Sequence, residues 1–576
     1  MIRQLMFALL LATGLCAQPQ SIGSKPRAAT GYPIAGVVVS SVTRQPLAGV
    51  TVAITATENR QSSQTMQTAA DGRFAFPSVP AGKYSLTASA HGYRAQGFNQ
   101  HGNFFTGIAV GPDLDGGNLV FRLVPDAAIE GLVTDDDSEA VRNASVQLFQ
   151  RNNDTGQQRT QVITNAVTDD RGHYQFGHLA PGTYFAAVSA RPWYANYSPP
   201  GEAQANADNA TRIAEEKAQF DVAYPLTFYP AAEDSTNAGA IVLHPGERVT
   251  ADVAMRAVPA VHLRIRSGEA EGNNHGNGVR VGFPRGFPRI SQRMFEGALV
   301  PVNTSQAYSY SGGELEFGLG NRVRGTQHRE GTYEYTGIAP GRYVIEMPES
   351  GGKRNGTGWY KEIDLSGTVE LDSAENPPLA SVSGAVVLEG GTRPTGKMIV
   401  ELLDRTSGED FTAQVSDKGM FDFADEEIRP GTYDVRLANA PGFHVKTLLA
   451  KGAKTAGHTL EIRGGGSVQL VCTATRAVAQ ISGVVLRDDK AFAGGMVVLV
   501  PQDPSADWLL FRRDQSDSDG TFTLPAVLPG AYIAIAIEDG WGLDWASPAA
   551  LQPYLKNGTS VEVTGEGKIS IKVQLQ

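Results

Sequence analysis

Two cysteines among 576 residues leave almost no covalent stitching. Cys16 lies in the N-terminal segment and Cys472 stands alone, so no disulfide framework holds this chain and its cores must suffice. Long apolar runs are equally scarce. After the N-terminal segment no run of about 18 apolar residues occurs, so the sequence predicts no transmembrane span in the mature chain. Positive charge is not in excess: 49 Lys and Arg stand against 60 Asp and Glu, a formal net charge of −11. That excludes the basic footprint that nucleic-acid binding requires. Catalytic signatures are missing too, with no His-Glu-x-x-His, no Gly-x-Ser-x-Gly and no Walker loop. The letters His-x-x-Glu occur twice, at His244–Glu247 and His458–Glu461. One pair falls in a predicted turn and the other in a predicted strand, and neither has a third ligand, so both read as chance. The sequence predicts no cofactor, no metal and no catalytic residue.

The N-terminus reads as a signal peptide over residues 1–17. Arg3 supplies the positive start, Leu5 to Leu15 the apolar stretch, and Ala17 the small residue before a cut at Gln18. Lipid attachment at Cys16 is disfavoured, because Leu15 stands where a small residue belongs. The expected destination is the periplasm, the outer surface or the medium.

What is abundant is turn chemistry, with 65 Gly and 32 Pro, and it is arranged in a repeat. Asp71-Gly72-Arg73-Phe74-Ala75-Phe76 is followed by Val79-Pro80-Ala81-Gly82-Lys83-Tyr84. The figure returns at Gly172-His173-Tyr174 with Pro181-Gly182-Thr183-Tyr184, and at Gly331-Thr332-Tyr333 with Pro340-Gly341-Arg342-Tyr343. It returns again at Gly419-Met420-Phe421 with Pro430-Gly431-Thr432-Tyr433, and at Gly520-Thr521-Phe522 with Pro529-Gly530-Ala531-Tyr532. Period-two alternation puts Phe74 and Phe76 on one face. Gly in the Pro-Gly turn takes backbone conformations closed to other residues. The figure therefore predicts a β-hairpin with one apolar face toward a core. An opening strand precedes it, as in Ile34-Ala35-Gly36-Val37-Val38 and Ile481-Ser482-Gly483-Val484-Val485, and an alternating strand such as Leu119–Leu123 closes each unit. About seven short strands in some 95 residues suit a β-sandwich.

The order I-x-G-x-V, P-L-x-G-V-x-V, D-G-x-F-x-F-x-x-V-P-x-G-x-Y resembles the carboxypeptidase regulatory-like domain, whose fold is a transthyretin-like (prealbumin-like) sandwich. The resemblance implies an all-β chain: a tandem array of about five transthyretin-like or Ig-like sandwiches with a short helical insertion in the second. The expected units are 30–125, 126–259, a divergent 260–378, 379–477 and 478–576. The third is divergent because Val261-His262-Leu263-Arg264-Ile265 lacks the opening Gly. The units also resemble collagen-adhesin B-type repeats, which often carry a Lys–Asn isopeptide bond. No Lys stands in residues 34–38, 129–133, 382–386 or 481–485, so that crosslink is not expected.

The second unit carries an insertion holding Trp193, Tyr194, Tyr197, Tyr224, Phe228 and Tyr229, with a stretch from Glu202 to Phe220 of helical spacing. As a long loop with rigid aromatics it is the candidate binding surface; as structure it is a cap packed on its own or the next sandwich. The recurrent Gly92-Tyr93, Gly442-Phe443 and Gly540-Trp541 read as turns with a lid residue. Asp514, Asp517 and Asp519-Gly520 resemble part of a calcium loop whose closing Glu is absent, and Asp135–Asp137 is another acidic turn. The expected function is an exported, non-catalytic interaction or scaffold protein built as a rod or bent chain, with a glycan or a cell-envelope protein as partner. A carbohydrate-binding protein and an enzyme with an unrecognised site are the alternatives.

Overall fold

In the computed structural model the described residues are 31–576, apart from 59–61, 155, 157, 197–209, 267–288, 296–298, 302–304, 312–313, 320–322, 328–331, 348–358, 373–378, 395–396, 407, 424–427 and 504–507. The segment expected to be a signal peptide, with Cys16, lies outside them. Strands are the dominant element of the described chain, with only two short α-helices among them, Ala210–Gln219 and Pro548–Leu555. Among these residues five sandwich cores follow one another, each between two facing sheets.

One pairing rule recurs. In the first unit the opening strand Tyr32–Ser40 pairs antiparallel with Arg73–Val79 and parallel with the closing strand Leu119–Leu123. In the fourth, Ala380–Leu388 takes Met420–Asp422 and, in parallel, Gly466–Thr475. In the fifth, Ala479–Arg487 takes Thr521–Val527 and Gly567–Gln574 in the same senses. The third keeps the rule despite its divergent sequence: Val261–Arg266 lies between Thr332–Ile338 and Val369–Asp372. The opening Gly has a steric cause. A Cβ on Gly384 would collide with the Leu470 carbonyl of the closing strand and the Phe421 ring, and one on Gly483 with Ile571 and Phe522.

The expected hairpin is corrected. The strands flanking Pro-Gly do not pair with each other. Arg73–Val79 joins the opening strand, whereas Gly82–Ala90 crosses to the facing sheet and pairs with Thr51–Ala56. The other units do the same; His173–Leu179 and Gly182–Ser189, for example, lie in opposite sheets. The turn is an arch over the edge of the core. Gly82, Gly182, Gly341 and Gly530 hold φ between +154° and +158° there, a region essentially confined to glycine.

Each arch is closed by its tyrosine. The hydroxyls of Tyr84, Tyr184, Tyr343, Tyr433 and Tyr532 donate to the carbonyl four residues back, at 2.9, 2.7, 2.7, 2.7 and 2.9 Å. All five rings are buried, and the bond satisfies the one polar atom each carries into the core. A second staple was not read from the sequence. Thr68 Oγ1 donates to Leu47 and accepts from the Val50 amide; Thr168 and Ser516 do likewise in the second and fifth units.

Among the longer strands described, Met496–Pro501 is buried on both faces entirely, and Gly182–Ser189 over most of its length. In the fifth unit the outer cover is a second apolar cluster that includes Phe511, Trp545 and Leu551, the last on the helix Pro548–Leu555. Ser547 caps that helix. The unbroken apolar run Met496-Val497-Val498-Leu499-Val500 was the sequence signal for this two-sided burial.

Candidate functional site

The insertion of the second unit divides its six aromatics. Trp193 opens a short 3-10 turn, Trp193–Asn196, and is 64% exposed. Tyr194 meets it edge to face, centroids 5.6 Å apart at 85°. The Tyr194 and Tyr224 hydroxyls bond to each other, and burial pushes both above the ordinary tyrosine range. Tyr224 is buried and Tyr229 packs half-buried on the same core. Phe228 is 2% exposed. Tyr224 and Phe228 thus present no face to solvent, because Thr227–Phe228 adds a strand to the sheet beside Gly182–Ser189. Tyr197 lies outside the described residues. The helix expected between Glu202 and Phe220 is present as Ala210–Gln219.

The buried part of the insertion makes the joint to the third unit. Phe295 of that unit inserts among Phe149, Phe185 and Phe228, with centroids 5.0 to 5.2 Å away. Val222–Ala223 pairs with Val258–Pro259, and Asp221 meets His262 at 2.7 Å. The next joints are polar. Arg429 of the fourth unit is buried against Glu346 of the third at 2.7 Å and against Glu409 and Asp404 of its own unit. Trp508 of the fifth donates its indole N–H to Asp434 at 2.6 Å, under the Arg436 guanidinium.

The fifth unit then returns to the first and second, so the chain closes on itself. Lys83 reaches Asp517 at 2.5 Å and also the Thr521 hydroxyl. The Asp517 carboxylate accepts from the Gly107 amide at 2.9 Å, and Ser518 exchanges bonds with Gly107 and Ala109. Gln515 donates to the Asn99 carbonyl and to Thr106, and its amide oxygen lies 3.1 Å from His101 Nδ1. His101 stacks on Trp541 with centroids 4.5 Å apart. On the second unit, Asn153 donates to the carbonyls of Trp541 and Leu543 at 2.8 and 2.5 Å and accepts from the Trp545 indole at 2.8 Å. The Gln158 amide bonds Asp544, and the Ala546 amide bonds Gly156. The expected rod or bent chain is therefore corrected to a closed one.

Electrostatics concentrate at this seam. Burial pushes the Asp514 carboxyl up to about 6, against bonds from the Thr523 and Gln515 amides that pull it down. Burial also lowers His101. Arg513 lies between 4.6 and 5.6 Å from the ring centroids of Trp545, Phe104 and Trp541, and burial brings it down to about 10. The acidic turn that looked like part of a calcium loop is occupied by Lys83, by backbone amides and by its own Thr521.

The two His-x-x-Glu sequences also resolve. Glu247 accepts from the His244 amide in a turn. His458 is buried on the Val445 carbonyl, while Glu461 pairs with Arg463. Among the described residues no three His, Cys, Asp or Glu side chains stand close enough to hold a metal ion. No helix among them is long and apolar enough to cross a membrane.

The fold and its joints define a multi-unit β-sandwich protein with repeated tyrosine-closed arches. Residues 33–110 and 128–213 match the carboxypeptidase regulatory-like domain, so the first two units are domains of that family. No curated protein matches the chain. Solved structures that it resembles include the minor pilin of Streptococcus agalactiae, 13% identical over 40% of this chain and 97% of that one, TM-score 0.20. The Bacillus anthracis TIE protein is 12% identical over 79% and 76%, TM-score 0.16. The shaft pilin SpaA of Lactobacillus rhamnosus GG is 11% identical over 40% and 98%, TM-score 0.18. At such scores they bear on neither the arrangement of the units nor the function.

Proposed function

We propose that this protein is an exported, non-catalytic scaffold: five sandwich domains, divided near Pro125, Pro259, Pro378 and Ala477, held in one closed arrangement that displays their outer loops. The observation that carries the reading is how the chemically capable side chains of the seam and joints are employed. Lys83, His101, Arg429, Asp434 and Asp517 each commit polar atoms to contacts between units, and Arg429 and Asp434 commit others to ion pairs within their own unit. A catalytic group needs a free atom aimed at a substrate space; these are aimed at other units. The test is turnover. The full chain should convert no peptide, ester or glycoside substrate. Turnover that Asp514→Asn abolishes would overturn the reading, since burial raises the Asp514 carboxyl to about 6.

A second reading rests on the exposure of Trp193 beside Tyr194. A flat exposed indole stacks on the apolar face of a sugar ring, so the scaffold would bind a glycan at the second unit. Its test is a glycan array with the full chain and Trp193→Ala.

A further inference from the structure

The seam that closes the chain differs in kind from the joint between the second and third units. That joint buries Phe295 among three phenylalanines, a contact that would leave an apolar face in water if parted. The polar part of the seam is hydrogen bonds donated by Lys83, Gln515 and Asn153 and accepted by Asp517 and Ser518. Parted, these groups would be satisfied by water. In the closed chain two donors are buried without an acceptor, Arg513 Nε and Trp541 Nε1. Both sit at the aromatic centre of the seam, and a buried donor without a partner disfavours the state that buries it. Attraction and penalty thus oppose each other at one interface.

Both anchors on the fifth-unit side of that interface belong to one sandwich. The turn at Gln515–Thr521 is tied down by Ser516 to Phe492 and by Asp519 to Thr521. The second anchor, Trp541–Ala546, leads directly into the helix Pro548–Leu555 packed on the same sandwich. The chain enters this unit through a short non-strand link between Thr475 and Ala479, and the Trp508–Asp434 bond also joins the fifth unit to the fourth.

We propose that the fifth unit is a latch: it seats on the first and second units as one body, and lifts off as one body while every sandwich stays folded. Opening frees the Lys83 and Gly107 face of the first unit and the contacts of Asn153, Gly156 and Gln158 on the second together.

Hydrogen exchange on the full chain tests this, because four amides are bonded only across the seam: Gly107, Ala109, Gln158 and Ala546. They should exchange through one common opening, well before the strands Thr51–Ala56 and Met496–Pro501. Lys83→Met should speed exchange at Gln158 and Ala546, which Lys83 does not touch, by about tenfold or more, and leave those strands unchanged. Asn153→Ala should do the converse at Gly107 and Ala109. An effect of each variant confined to its own contacts would overturn the latch, as would seam amides that exchange only when the strands do. Unfolding of the first unit by Lys83→Met together with unfolding of the second by Asn153→Ala would equally overturn it, by showing that the contacts are part of the sandwiches.

Discussion

The imidazole of His101, in the first unit, lies flat on the indole of Trp541, in the fifth, with 3° between the ring planes. That stack joins the two ends of the described chain. It ties His101 to the closed arrangement; the shifts of His101 and of Asp514, which accepts from the Thr523 and Gln515 amides of its own unit, have opposite consequences for pH.

Asp514 is raised in the folded protein to about 6, above its unfolded value of about 3.9. Its folded state prefers the proton, so its contribution to stability is present below about pH 4 and is lost as pH rises through about 6. His101 is lowered, so its contribution is present above about 6.5 and is lost as pH falls through its depressed value. Thermal unfolding of Asp514→Asn between pH 4 and 8 should therefore lose the downward slope toward neutral pH that the parent shows. His101→Gln should lose the acid-side slope. An unchanged profile in both would contradict the burial assigned to these groups.

The arches give a second expectation. Phe76→Ala removes a ring from the first core and should destabilise that unit by about 3–5 kcal/mol. Tyr84→Phe keeps the ring and removes only the bond to Pro80, a change of about 1 kcal/mol. Calorimetry of the full chain should show the first-unit transition moved several-fold further by Phe76→Ala than by Tyr84→Phe. Equal shifts would mean the arch bond matters as much as the core.

Strand order was legible because glycine punctuation and period-two alternation are local. The opening Gly, the aromatic pair and the arch Tyr all stand where the repeat placed them. The hairpin was misread for a physical reason. Alternation puts Phe76 and Tyr84 on the core side whether their strands are neighbours in one sheet or lie in facing sheets, and local pattern cannot separate the two. Closure was invisible for a different reason. Gln515, Asn153 and Lys83 are single polar residues without periodicity, and the acidic turn at Asp514–Asp519 reads like any solvated or calcium-like loop until Lys83 is seen in it. Of the six aromatics of the insertion, composition alone did not distinguish exposed Trp193 from buried Phe228.

That contrast yields a third expectation. Trp193→Ala removes an exposed ring and should shift stability by no more than about 0.5 kcal/mol. Phe228→Ala should cost about 3–5 kcal/mol and loosen the joint that Phe295 makes. Denaturant unfolding of the two variants reads this directly. If Trp193→Ala is as damaging as Phe228→Ala, the exposed ring is packing and the glycan reading falls.

Steric fit at the opening strand gives a fourth. Gly384→Ala drives a methyl into the Leu470 carbonyl and the Phe421 ring, so the fourth unit should lose about 1–3 kcal/mol or more. The same change at Gly464, where a Cβ meets nothing within 4 Å, should be near neutral by the same denaturation measurement.

The central claim is closure, and small-angle scattering of the chain from residue 31 onward tests it most directly. Units of about 100 residues are roughly 33 Å across, so five touching units closed on themselves give a radius of gyration of about 30 Å, and five placed end to end about 45–50 Å. Closure predicts a value near the first and a pair-distance curve without a long tail. A value near the second, unchanged by Lys83→Met and Asn153→Ala together, would contradict it.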